Sequence, residues 1–263
     1  MRKAFFKDWY GRSCEAVINF INHFNKIIEE HLDEIKKEIF VNLNPKALIV
    51  PHAGWIYSGF TANFAYKIAS NNNYNGVAVI GPSHNNIFSG MSTTLEEEYE
   101  TPCKNLKIDT LVAKELITNF NVSNLEYVHS EHSTEVQMPF IEYYFDNIKV
   151  IELIYSKYSP IYLKEMIKYL ISKNFLVVIS SDLSHYYDIQ TANKLDSFCI
   201  EAVHNLDLSY LKECEACGKI GIEGVILASK EINLTPLIVD YRTSADVSGD
   251  ESQVVGYMSA VFI

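Results

Sequence analysis

"KALIVPHAGWIYSG", residues 46–59, is the stretch on which the reading of the fold turns. Ala47 to Val50 is a short, uniformly apolar run, the pattern of a strand buried on both faces of a sheet. Pro51 stops it, and the chain passes at once to an imidazole, His52, and a Gly-aromatic turn. Two later stretches repeat this grammar. "VAVIGPSH" ends on His84, and "LVVISSDLSH" ends on Asp182 and His185. Ligands of open α/β sheets bind beyond the carboxyl ends of the strands, where loops and helix N-termini converge. Three strands are therefore expected to deliver His52, His84, His185 and Asp182 to one edge.

Working outward, Val17, Ile18, Ile21, Phe24, Ile28, Leu32, Ile35 and Ile39 recur at helical spacing and predict one long amphipathic helix over 14–39. A helix from Ser58 to Ser70 is expected after the first strand, with Ser58 as its N-cap. Further strands are expected at 76–81, 148–154, 175–180, 235–241 and 253–262. Segments 86–95 and 99–108 read as an antiparallel excursion. Helices are expected at 109–119, in the second half of "HSEHSTEVQMPFIEYYF", at 160–173, 189–204 and 207–213, and near 222–232. Apolar strands alternating with amphipathic helices give an α/β fold, a three-layer α/β/α sandwich on a mostly parallel, mixed sheet. No linker or repeat divides the chain, so residues 1–263 are read as one domain.

Bulk composition narrows the function. The net charge is −11, from 33 acidic against 22 basic residues. That opposes non-specific nucleic-acid binding and docking on anionic lipid, which both require clustered cations. The opening "MRKAFFKDWYGR" is too polar for a signal peptide, and no apolar stretch is long enough to span a bilayer. A cytoplasmic location is the expectation. Five cysteines at irregular spacing do not suggest a disulfide framework; they read as core residues, ligands or reactive thiols.

Two imidazoles and one further donor make a facial metal site with open positions, suited to iron, copper or zinc. Asp182, Glu135 and a cysteine are all open as the third donor. Cys214 and Cys217 form a C-x-x-C in "ECEACGKIG", with no second pair to complete a structural zinc site. In "SEHSTEVQ", Ser133 is expected to cap a helix and Glu135 to favour its positive end. His132 is left for a second shell or a substrate-facing place. Trp55 and Tyr57 are equally suited to walling a pocket or filling the core. His23, His31 and His204 fall within amphipathic helices and are set aside. There is no G-x-S-x-G elbow, P-loop or G-x-G-x-x-G.

Taken in order, "DWY", "PHAGWIYSG", "GPSH", "EHSTEVQMPF", "SSDLSHY", "ACG" and "VVGYMSAVFI" resemble the Memo family (mediator of cell motility), also labelled AmmeMemoRadiSam system protein B in microbes. The resemblance covers essentially the whole chain. It implies a fold like that of class III extradiol-type, non-haem iron dioxygenases. It also implies metal binding by His52 and His84, with Cys217 in the place of those enzymes' carboxylate. His185 would be the acid/base, accompanied by Asp182. A thiolate donor is softer than a carboxylate and shifts preference toward copper, zinc or thiolate-bound iron. The resemblance further implies either an oxidoreductase-like function on an unknown small molecule or an adaptor that binds phosphotyrosine-type peptides in the same cleft. AMMECR-type and radical-SAM proteins are its implied pathway partners.

Overall fold

The computed structural model describes residues 1–33 and 40–263. Ten strands form one sheet: β1 (Ala47–Val50), β2 (Gly76–Pro82), β3 (Met91–Thr93), β4 (Glu98–Tyr99), β5 (Leu106–Ile108), β6 (Lys149–Tyr155), β7 (Phe175–Ser180), β8 (His185–Tyr187), β9 (Pro236–Thr243) and β10 (Val254–Phe262). The order is β4-β5-β6-β2-β7-β1-β10-β8, with β3 paired to β6 and β9 to β10. The block β5-β6-β2-β7-β1 is parallel, and the remaining pairings are antiparallel. The helices are α1 (Cys14–His31), α2 (Trp55–Ala69), α3 (Thr110–Phe120), α4 (His132–Glu135), α5 (Met138–Tyr144), α6 (Pro160–Ser172), α7 (Ile189–His204), α8 (Lys219–Ile232) and α9 (Ala245–Ser248).

Alternation along each buried strand explains the three layers. Leu48, Val50, Val77, Val79, Leu176 and Val178 face one apolar core with α1, α2 and α5. Their neighbours Ala47, Ile49, Ala78, Ile80, Val177 and Ile179 face the other, with α3, α6, α7 and α8. The expected α/β/α sandwich with a mostly parallel, mixed sheet is therefore present.

Several local expectations are corrected. α1 carries the stripe Val17, Ile21, Phe24 and Ile28, is capped by Ser13, and stops at His31 because Leu32 is extended. Ile35 and Ile39, placed on this helix by periodicity, lie outside the described residues. α2 begins earlier than expected, at Trp55 with Gly54 at its N-cap. Ser58 lies inside it and donates its hydroxyl to the Ala53 carbonyl at 2.9 Å. Only a 3-10 turn, Tyr210–Lys212, occupies the expected helix at 207–213. The excursion expected over 86–95 and 99–108 is made of very short strands and is antiparallel in part: β3 pairs antiparallel with β6 and β4 with β5, but β5 joins β6 in parallel.

The expectation that the cysteines form no disulfides is overturned for four of the five. Cys14 is bonded to Cys103, and Cys199 to Cys214. Two bonded pairs and one free thiol, Cys217, account for the odd count. Cys214 is thus no redox partner for Cys217. No helix among the described residues is long and apolar enough to cross a membrane.

Candidate metal centre

β2, β7 and β1 are adjacent and parallel, with Val50 opposite Ser180 and Ile80 opposite Ile179. The register brings their carboxyl ends level, so the residues that follow them share one edge. There the rings of His52 and His84 lie 5.1 Å apart. A third ring joins them: His132, at the start of α4, is 4.5 Å from His84 and 5.4 Å from His52. One ring nitrogen from each of the three lies within 4.8 Å of the others. The cluster grades from buried His52 through half-buried His132 to exposed His84, which leaves one side reachable from solvent.

Each ring is held by its Nδ1. His52 Nδ1 is 3.0 Å from Ser180 Oγ. His84 and His132 both place Nδ1 3.1 Å from the same oxygen of Glu131. A carboxylate accepting at Nδ1 fixes the proton there and leaves the Nε2 lone pair free. Glu131 also accepts the backbone N–H of His84 (2.7 Å) and caps α4 through Ser133 N. Burial pushes its carboxyl up, but the bonds from His132 and His84 outweigh this and hold it well below the usual carboxylate range. His52 is pushed well below the ordinary imidazole range, by burial first and then by His84 and His132, so it is a neutral base. His52 as a neutral base, with two further imidazoles whose Nδ1 atoms are engaged by Glu131, is a donor set of the kind that a transition metal takes.

Cys217 approaches from another side. It precedes α8, and its Sγ lies 3.2 Å from His52 Nε2 and 3.2 Å from the Asp182 N–H. Burial, then the nearby Asp182 carboxylate, pushes the thiol up. The sulfur touches one imidazole of the cluster, not all three. Asp182 accepts the backbone N–H of His52 at 2.7 Å and that of Ala53, so its carboxylate shapes the turn after β1. Burial pushes its carboxyl up, against these bonds and the attraction of His185. His185 is half-buried and lines a cavity of about 400 Å³ with Leu183, Cys214 and Cys217.

Close approach of α4 to the sheet depends on Gly81. A Cβ on this residue would stand 2.6 Å from Ser133 Oγ and 3.0 Å from Thr134 Cγ2. Ser133, expected as a cap, instead donates to the Pro82 carbonyl at 2.7 Å, and Glu131 does the capping.

Of the other expected pocket residues, Glu135 and Trp55 are engaged elsewhere. Glu135 is buried against the N-terminal segment, accepting from Phe5 N (2.8 Å), Phe6 N (2.6 Å) and Tyr10 Oη (3.0 Å). Trp55 is 1% exposed, donates to the Val136 carbonyl and stacks on Phe140 at 3.9 Å, a core position. Tyr57 is exposed on the first turn of α2. Trp9, whose ring lies 4.6 Å from His132, forms the aromatic flank instead.

Known proteins now place this arrangement. The description "Memo-like protein" matches residues 8–261. The chain belongs to the Memo-like family. A MEMO1 family protein of Sulfurisphaera tokodaii is 35% identical over 231 residues, covering 81% of each chain. A second, from Methanobrevibacter smithii, is 32% identical over 234 residues, covering 83% of each. Among solved structures, an uncharacterized protein of Escherichia coli K12 superposes with a TM-score of 0.55 over 82% of this chain and 98% of its own. At 12% identity that likeness concerns the fold alone. In this Memo-like chain the residues missed by sequence reasoning are Glu131 and Ser180. The signal for Glu131 was an acid directly before a histidine at a helix start, which is an N-cap position.

Proposed function

We propose that this chain is a metal-binding, oxidoreductase-like protein with a mononuclear site for iron or copper. The observation that carries the reading is the cluster of three imidazole nitrogens within 4.8 Å, with the rings fixed by Glu131 and Ser180. His52, His84 and His132 would hold the ion, and Cys217 would offer its sulfur beside His52. Bound there, an ion with open positions supplies Lewis-acid or redox activation of oxygen or a small substrate. The protein's own part is to present lone pairs, exclude water around His52 and hold a proton at His185 on the Cys217 side.

The test is metal analysis of protein expressed in defined medium, alongside His52→Ala, His132→Ala and Cys217→Ser. One ion per chain is expected in the parent, with loss in both histidine variants. Copper loading of the parent but not of Cys217→Ser should give a sulfur-to-copper absorption band if the sulfur is a ligand. Folded, metal-free parent protein that takes up neither iron nor copper would overturn the proposal in favour of a non-catalytic peptide-binding adaptor.

A further inference from the structure

Of the three imidazoles, His132 is seated differently from the other two. His52 and His84 follow parallel strands, and a carboxylate takes the backbone N–H of each at 2.7 Å, Asp182 for His52 and Glu131 for His84. His132 instead opens α4, a helix of only four residues. Its ring is tied through Nδ1 to Glu131, the adjacent residue. The χ2 torsion of a histidine is broad, so one such tie leaves the ring able to swing about it.

What limits the swing is aromatic. The Trp9 ring lies 4.6 Å from the His132 ring with the planes tilted by 42°, and the Phe6 ring meets it edge-on at 5.6 Å. Trp9 and Phe6 also touch each other, at 5.9 Å, and so form one wall. That wall is anchored to the same short helix. Glu135 lies three residues after His132, on the same face of α4. It accepts from Phe5 N (2.8 Å), Phe6 N (2.6 Å) and Tyr10 Oη (3.0 Å), and Arg2 pairs with it from behind. The backbone of residues 5–10 is thus clasped by one end of α4 while its rings brace the other. Core packing does not account for Trp9, which is 38% exposed, as it does for Trp55, which is 1% exposed. We infer that Trp9 is a positioning residue of the metal centre, holding the His132 ring where it joins His52 and His84, with Phe6 and the Glu135 clasp as its support. The inference rests on the metal-binding reading for what the three rings hold, whereas the bracing of His132 stands without it.

Trp9→Leu and Trp9→Phe test it in two ways. In metal-free protein, carbethoxylation by diethyl pyrocarbonate, mapped by mass spectrometry, reads how well each imidazole is covered. His132 should react several-fold faster in Trp9→Leu than in the parent, and close to the parent rate in Trp9→Phe. His129, which is 4% exposed and lines the same cavity as Arg2 and Phe5, reports whether the whole segment has come away, and its rate should not change. An unchanged rate at His132, or an equal rise at His129, overturns the inference. In copper titrations against a competing chelator, Trp9→Leu should bind about tenfold more weakly than the parent, the lower end for groups that orient metal ligands, and Trp9→Phe should recover most of the loss. Equal copper affinity in all three proteins overturns the inference as well. A parent that takes up no copper counts against the proposed function, and the metal-free comparison then decides this assignment by itself.

Discussion

Glu131 is the residue through which the candidate centre is assembled, since one carboxylate oxygen receives Nδ1 of two rings from different parts of the chain. Glu131→Gln keeps the shape but turns one of the two acceptors into a donor. The side chain can then no longer accept at both imidazoles through one oxygen and at the His84 and Asn85 backbone N–H groups through the other. Outer-shell partners of metal ligands typically change affinity by about 10–100-fold. A loss in that range, with the circular dichroism of the folded chain intact, is expected from metal titration of Glu131→Gln. At this scale the sequence was partly legible. His52, His84 and Asp182 announce themselves by following apolar runs, because strand ends need no long-range information to be recognised. Glu131 and Glu135 look alike in "SEHSTE", and only the docking of the N-terminal segment distinguishes the one that faces the imidazoles from the one that faces Phe5, Phe6 and Tyr10.

The element with the most unusual attachment is the segment before α1. Arg2 is buried between two carboxylates, with Nε and Nη2 each 3.2 Å from Glu152 and Nη1 3.4 Å from Glu135. Glu152 on β6 also accepts from Thr134 Oγ1 (2.7 Å) and contacts His129 Nδ1 (2.6 Å). Arg2→Ala leaves this carboxylate without its cation, and breaking a buried pair in this way costs about 3–5 kcal/mol. A denaturant titration should show that loss. Burial pushes the Glu152 carboxyl up, but Arg2 and His129 more than offset this and bring it down to about 2. With the folded value below the unfolded one, the stabilisation is complete above about pH 4.5 and fades as the pH falls toward 2. Glu152→Gln should therefore flatten the acid limb of a stability–pH curve by about 3 kcal/mol between those limits. Periodicity revealed the start of α1 but nothing of this attachment, because an arginine near a chain start reads as a solvated charge until its partners are known.

For the molecule as a whole, two disulfides constrain the unfolded chain. Cys14–Cys103 spans 89 residues of sequence and Cys199–Cys214 spans 15. On the loop-entropy account they contribute about 4–5 and about 3 kcal/mol. Calorimetry of Cys14→Ser and Cys199→Ser should show both variants melting below the parent, with the larger drop for Cys14→Ser. Layer order and strand positions were legible because burial on two faces imposes its own pattern. Disulfide pairing was not, since Cys14 and Cys103 meet only after α1 has packed.

The missing side chain of Gly81 has a further meaning for such a site. With Ser133 Oγ only 2.6 Å from where a methyl group would stand, the gap between β2 and α4 is set by what glycine lacks. His84 rides on the strand side of that gap and His132 on the helix side. The bite of the two imidazoles is thus gauged by a single hydrogen atom, a spacer that no ligand motif would record.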